Sequence, residues 1–159
     1  GWNHVARQIL RLDPARGLAV ARQLAMLTYR APAGLARRHE AQGVGGYLDH
    51  HGEKLHGRFT PACYAAQLDA MDAHDLTQPL PGARRPALAG LRASTLVAAV
   101  DSDMLFPPDD SAALVRELRR HGKKAQRATI TSPHGHDAFL LEWRQLDRLV
   151  RRALQLRLP

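Results

Sequence analysis

The sequence predicts an α/β chain in two parts: a helical region over residues 1–85, then the closing βα units of a parallel sheet over 86–159. Three observations carry that prediction. Residues 1 to about 80 show helical patterns and turn signals with no convincing strand, whereas from about residue 94 the order becomes strand, helix, strand, helix. Between the two, the stretch 79–86 (PLPGARRP) sets three prolines and a glycine in eight residues, which no helix continues through. Two βα units are also too few for a sheet with both faces covered, so its remaining strands are expected outside this sequence.

The elements follow in order. The opening Gly1-Trp-Asn-His-Val-Ala-Arg-Gln begins as if in mid-helix, with no initiating Met and neither the charged start nor the apolar stretch of a signal peptide. It is expected to be cut from something longer. Residues 17–29 place apolar side chains at i, i+3, i+4 and i+7, the pattern of a buried helix. A polar, glycine-punctuated segment runs through Gly46, and 47–56 is a short helix. From Thr60, the spacing of Pro61, Tyr64, Leu68 and Met71 predicts another helix with proline in its first turn, where its missing N–H does no harm. Thr95-Leu-Val-Ala-Ala-Val100 is unbroken and partly β-branched, as for a strand buried on both faces. Asp109 or Asp110 is expected to cap a helix running to about His121, with Gly122 at its C-terminal end. Residues 127–131 form the next strand, and 138–156 a long amphipathic helix.

Composition narrows the function classes. At 159 residues and 45% apolar content the chain fits one ordinary globular domain, and no stretch approaches the roughly 18 to 20 apolar residues of a membrane-spanning helix. The net charge of +8 comes mostly from arginines. They are scattered rather than gathered in a stripe, and even Asp147-Arg-Leu-Val-Arg-Arg152 is interrupted by apolar residues, so no nucleic-acid partner is expected. The single cysteine, Cys63, excludes an internal disulfide framework and fits a reducing cytosol, hence a cytoplasmic protein. It lies inside a helical pattern with no base beside it and is expected to be an inert thiol. Nine histidines are present, but no His-Glu-x-x-His and no zinc-type Cys/His spacing, so no metal is expected.

Chemistry concentrates after the two strands. The first leads into Asp101-Ser-Asp-Met-Leu-Phe-Pro-Pro108, and the second into Ser132-Pro-His-Gly-His-Asp137. An acid after one strand and a histidine after the next is the order in which α/β-hydrolases present the last two members of a Ser…Asp…His triad. Asp103 is the candidate acid, orienting the imidazole of His136, the candidate base, and Gly135 permits the sharp turn before it. The plainer alternative is that Asp101, Ser102 and Asp103 cap the following helix while His134 and His136 are polar loop residues. No Gly-x-Ser-x-Gly occurs, so the chain carries the acid and base of such a site without its nucleophile. Arg22 and Tyr29 stand seven residues apart on one helix face. There a guanidinium holds a carboxylate with a phenol beside it, or the pair is an ordinary surface Arg and core-edge Tyr.

Five stretches then match a known family in order and spacing: Gly17-Leu-Ala-Val-Ala-Arg-Gln-Leu-Ala-Met-Leu-Thr-Tyr-Arg30, the segment from Tyr47-Leu through Gly52-Glu-Lys to Arg58-Phe59, Ala70-Met-Asp-Ala-His-Asp-Leu76, Ser102-Asp-Met-Leu-Phe-Pro107 and Gly135-His-Asp-Ala-Phe-Leu140. Over nearly its whole length the chain resembles the C-terminal half of the homoserine O-acyltransferases. The resemblance implies the C-terminal part of an α/β-hydrolase fold, a helical lid over 1–85 followed by the last βα units of the core over 86–159. It implies transfer of an acetyl or succinyl group from acetyl-CoA or succinyl-CoA, as co-substrate, to the hydroxyl of L-homoserine through an acyl-serine, a step of methionine biosynthesis. Asp103 and His136 then take the triad acid and base positions, and Arg22, Tyr29 and Asp137 the positions that hold homoserine. The serine belongs to an N-terminal half or a separate subunit, and the lid supplies a homodimer interface. The overall positive charge suits an anionic acyl-coenzyme A. One departure is Arg58-Phe-Thr-Pro-Ala-Cys-Tyr64, where the family has Arg-Phe-Asp-Ala-Asn-Ser-Tyr. Two alternatives stand beside this expectation: transfer to another hydroxyl acceptor such as serine, and a non-catalytic association module whose open sheet edge pairs with another chain.

Overall fold

Asp13 ends one helix and begins the next. Its backbone closes α1 (Trp2–Leu12), and its carboxylate accepts from the N–H groups of Ala15 and Arg16, both at 3.0 Å, to cap α2 (Pro14–Thr28). The computed structural model describes residues 1–39 and 43–155, and it divides the chain into two compact units, Gly1–His74 and Asp75–Pro159.

In the first unit α1 and α2 fold back on each other so closely that a Cβ on Gly17 would lie 2.6 Å from the carbonyl oxygen of Ile9. The helices α3 (Pro32–His39), α4 (Gly43–His56) and α5 (Pro61–Ala73) follow. Thr60 caps α5 by accepting from Cys63 N–H, with Pro61 in the first turn as expected. Ala6, Leu10, Leu18, Ala21, Leu55 and Leu68 form the core, flanked by Phe59 and Tyr64. On the outside Arg7 ties α1 to Asp69 and Asp72 of α5.

Two differences from expectation fall here. The helix α3 occupies a stretch read as a polar connection, and α4 begins at Gly43 rather than Tyr47. Pro32 pre-sets the first turn of α3. In α4 the helix-weakening glycines 45 and 46 are carried by packing further along, where Leu55 is buried and Gly52 lies against Ala19 of α2.

The second unit opens with a 3₁₀ turn, Ala87–Gly90, and proceeds through β1 (Thr95–Val100), α6 (Pro108–Arg120), β2 (Ala125–Ile130), a second 3₁₀ turn (Gly135–Leu140) and α7 (Trp143–Leu154). The strands pair in parallel from Thr95↔Ala125 to Val100↔Ile130. Leu88, Val115, Leu118 and Ala125 pack with Val97, and Val100, Ile130 and Ala138 pack with Leu149. Val97 and Val100 differ by an odd number of residues, so α6 and α7 cover opposite faces.

Burial of β1 is completed only at Ala99 and Val100, and Ala98 is exposed, so the expectation of a strand covered throughout fails among the described residues. Pro107, not an aspartate, precedes α6, and Asp109 and Asp110 lie inside its first turn, where negative charge favours the helix dipole. Gly122, at φ +70°, turns the chain out of α6. The strand β2 starts at Ala125 and ends before Thr131, whose N–H goes to Gln145 of α7 at 3.0 Å. Ala138 to Leu140 belong to the 3₁₀ turn, so α7 starts later than its pattern suggested; position 156, its expected end, lies outside the described residues.

Candidate active site

Because β1 and β2 are parallel and in register, they end at the same level and release 101–103 and 131–136 side by side. This is the carboxyl edge of the strands, where open α/β sheets place reacting groups. Three consecutive residues then lace the two loops together. Asp101 Oδ1 accepts from Ser132 N–H at 3.0 Å. Ser102 Oγ donates to Ser132 C=O and accepts from Gly135 N–H at 3.0 Å. Asp103 Oδ2 meets His136 Nδ1 at 2.8 Å. Gly135, at φ +71°, occupies the left-handed region that a side chain would strain, and this turn delivers His136 to the carboxylate.

The second oxygen of Asp103 is also used. Oδ1 accepts from the N–H groups of Leu105 at 2.8 Å and Phe106 at 3.0 Å, so the residue both caps its own loop and orients the histidine. The plainer alternative, that these residues cap the following helix, is not what is found: α6 has no side-chain cap, and Asp103 holds the loop before it. The side chain of Asp103 is 6% exposed and that of His136 26% exposed. A buried carboxylate on Nδ1 favours the tautomer protonated there, which places the basic lone pair on Nε2. Ser102, the nearest serine in sequence, has its hydroxyl committed to the lacing.

Asp137 follows His136 in the first turn of the 3₁₀ segment and is half-buried. Arg22 and Tyr29 lie in the first unit, on α2 and at its end, with the guanidinium carbon 5.6 Å from the ring centroid, a cation–π distance. Each unit thus brings its own candidates together: Arg22 with Tyr29, and Asp103 with His136 and its neighbour Asp137.

Some participants escaped sequence reasoning. Phe106 and Phe139 stand edge-on to the His136 ring, at 5.2 and 6.0 Å between centroids. Their signal was an aromatic close behind each catalytic candidate, Phe106 after Asp103 and Phe139 after His136. Ser132 had no signal, because a serine after a strand is commonplace and its use depends on the register of β1 against β2.

No family model matches the chain. The homoserine O-acetyltransferase of Clavibacter michiganensis subsp. michiganensis is 34% identical over 182 residues, which take in 96% of this chain and 46% of that protein. The chain is a homologue of the homoserine O-acetyltransferases. The crystal structure of the homoserine O-acetyltransferase from Staphylococcus aureus superposes on this homologue with a TM-score of 0.72 at 28% identity, over 98% of this chain and 46% of that one. An α/β hydrolase from a Medee basin deep-sea metagenome library matches with a TM-score of 0.65 at 18% identity, over the whole of this chain and 50% of its own, which speaks to fold. The homologue therefore carries part of an α/β-hydrolase fold, and it spans about half the length of the curated relatives it matches.

Proposed function

We propose that the chain is the C-terminal portion of an acyl-CoA-dependent homoserine O-acyltransferase, supplying the acid and base of its triad and part of the acceptor site. The observation that carries this is the 2.8 Å contact of Asp103 Oδ2 with His136 Nδ1, set at the ends of adjacent parallel strands in a homologue of homoserine O-acetyltransferases. The nucleophilic serine and oxyanion hole belong to an N-terminal half, on the same polypeptide or a second subunit.

His136 takes the serine proton as the hydroxyl attacks the thioester carbonyl, and returns it to the departing coenzyme A thiolate. It next takes the proton of the acceptor hydroxyl as that oxygen attacks the acyl-serine, and gives it back to the serine. Asp103 stabilises the imidazolium in both half-reactions. Within the first unit, Arg22 braced on Tyr29 is suited to a carboxylate. Within the second, Asp137 is suited to an ammonium. Both groups are present in L-homoserine. The donor, acetyl or succinyl, is chosen by the nucleophile-bearing half. The cytoplasm is the proposed location, supported by a lone thiol at Cys63 and by the absence of any helix among the described residues long and apolar enough to cross a membrane. Homodimerisation through the helical unit is part of the same proposal, supported by exposed Trp2, Val5, Val20 and Leu27.

The test is mass spectrometry of the chain together with the polypeptide that completes it, native and then denatured, after exposure to acetyl-CoA or succinyl-CoA. A serine that gains an acyl mass and loses it when L-homoserine is added supports the transferase. Loss of the acyl group to L-serine instead of L-homoserine would establish the other acceptor. A complex that never becomes acylated would leave an association module.

A further inference from the structure

We propose that the first unit carries a phosphoryl-binding recess in which Lys54 of α4 and Arg58 of the turn after it, with His51, hold the anion beside Arg22 of α2. These side chains line one recess, whose floor includes Leu55. Positions 51, 54 and 58 follow helical spacing, and the turn after α4 keeps Arg58 on that face, with Arg58 N–H donating to Leu55 C=O at 2.9 Å. Leu55 itself is anchored in the core.

The approach of α4 to α2 is what gathers the cations. Gly52 presents only hydrogen where a Cβ would lie 3.0 Å from Ala19 C=O, and Gln23 donates to Asp49 at 3.0 Å between the same helices. Among the described residues no carboxylate forms an ion pair with Arg22, Lys54 or Arg58. Cations near the end of α4 favour the helix dipole, but that does not account for their convergence with Arg22. One guanidinium suffices for a single acceptor carboxylate, which leaves Lys54 and Arg58 surplus to it. Their added charge suits a doubly charged oxyanion, for which Arg and Lys are the usual ligands. That the phosphoryl group belongs to the acyl donor rests on the acyltransferase proposed above; the anion site itself does not.

His51 offers a direct readout. Burial lowers its pKa from the ordinary 6.5, and the charges of Arg22, His50, Lys54 and Arg30 lower it further. An anion seated among these groups reverses the electrostatic part.

The experiment is an NMR titration of the His51 ring in the 159-residue chain, assigned with His51→Gln, at constant ionic strength with inorganic phosphate, coenzyme A or acetate. Phosphate and coenzyme A are expected to raise the His51 pKa saturably, acetate much less, with Lys54→Gln and Arg58→Gln each weakening phosphate binding about tenfold. Tighter binding of coenzyme A than of phosphate assigns the site to the donor, and equal binding to free phosphate. A His51 pKa that ignores phosphate, or that answers acetate equally, overturns the proposal. Neither readout involves acyl transfer, so phosphate binding without acylation of any serine would sink the enzymatic function while leaving the recess intact.

Discussion

Asp103 divides its carboxylate between two tasks, and substitutions separate them. Asparagine keeps an oxygen for Leu105 and Phe106 but presents the wrong group to His136 Nδ1. Asp103→Asn is therefore expected to lower kcat of the proposed acyltransferase by about 10⁴-fold with little change in Tm. Asp103→Ala removes the loop cap as well and should also cost about 1 kcal/mol of stability, read by denaturant unfolding. Ser102→Ala strips partners from Ser132 C=O and Gly135 N–H, both in the loop that holds His136. It is expected to destabilise by about 1–3 kcal/mol, and steady-state assays should show kcat falling more than KM. At this scale the sequence singled out Asp103 and His136 by their order after successive strands, and the structure brings those two side chains into contact. The sequence was silent on Ser132, Phe106 and Phe139, whose parts come from the strand register and the turn at Gly135, not from their own neighbours.

Among the elements, glycines with the same helical setting have opposite consequences. Gly17 has backbone at 2.6 Å from its would-be Cβ, on a neighbouring helix that cannot rotate away as a side chain can, whereas Gly46 has open space. Gly17→Ala should therefore destabilise by about 1–3 kcal/mol through overpacking, while Gly46→Ala should stabilise by about 0.5–1 kcal/mol through propensity alone. Thermal melts of the two single variants, moving in opposite directions, check the pair. The same physics explains which elements could be read in advance. β1 matches its expected span, and α5 announces itself by Thr60 and Pro61, since short strands and capped helices are written locally. α3 and the first turn of α4 were obscured by polar residues and glycines, and their helicity owes more to tertiary packing than to propensity. The two aspartates of α6 were recognised as belonging to a helix start, but Pro107 and Pro108 set the boundary.

On the scale of the molecule, both the helical first unit and the βα character of the second were visible from composition and pattern; the pairing of the strands and the gathering of cations around Arg22 were not, because both depend on separate elements meeting. That gathering has a pH signature. The folded chain holds the pKa of His51 below 6.5, so the unfolded chain binds a proton more readily. Stability from keeping His51 neutral is complete above pH 6.5 and declines as pH falls from there through the folded-state value. Urea unfolding across that range should show the decline, and His51→Gln should flatten it. The lacing of the β1 and β2 loops has a consequence in time. Loops ordinarily surrender their amide protons to solvent quickly, yet the N–H groups of Leu105, Phe106, Ser132 and Gly135 are each tied to a side chain of Asp101, Ser102 or Asp103. Their hydrogen exchange should be slow and should quicken together, as one cooperative opening, when Ser102 is replaced by alanine. The acid and the base would then share a single clock, parting only when the whole loop pair lets go.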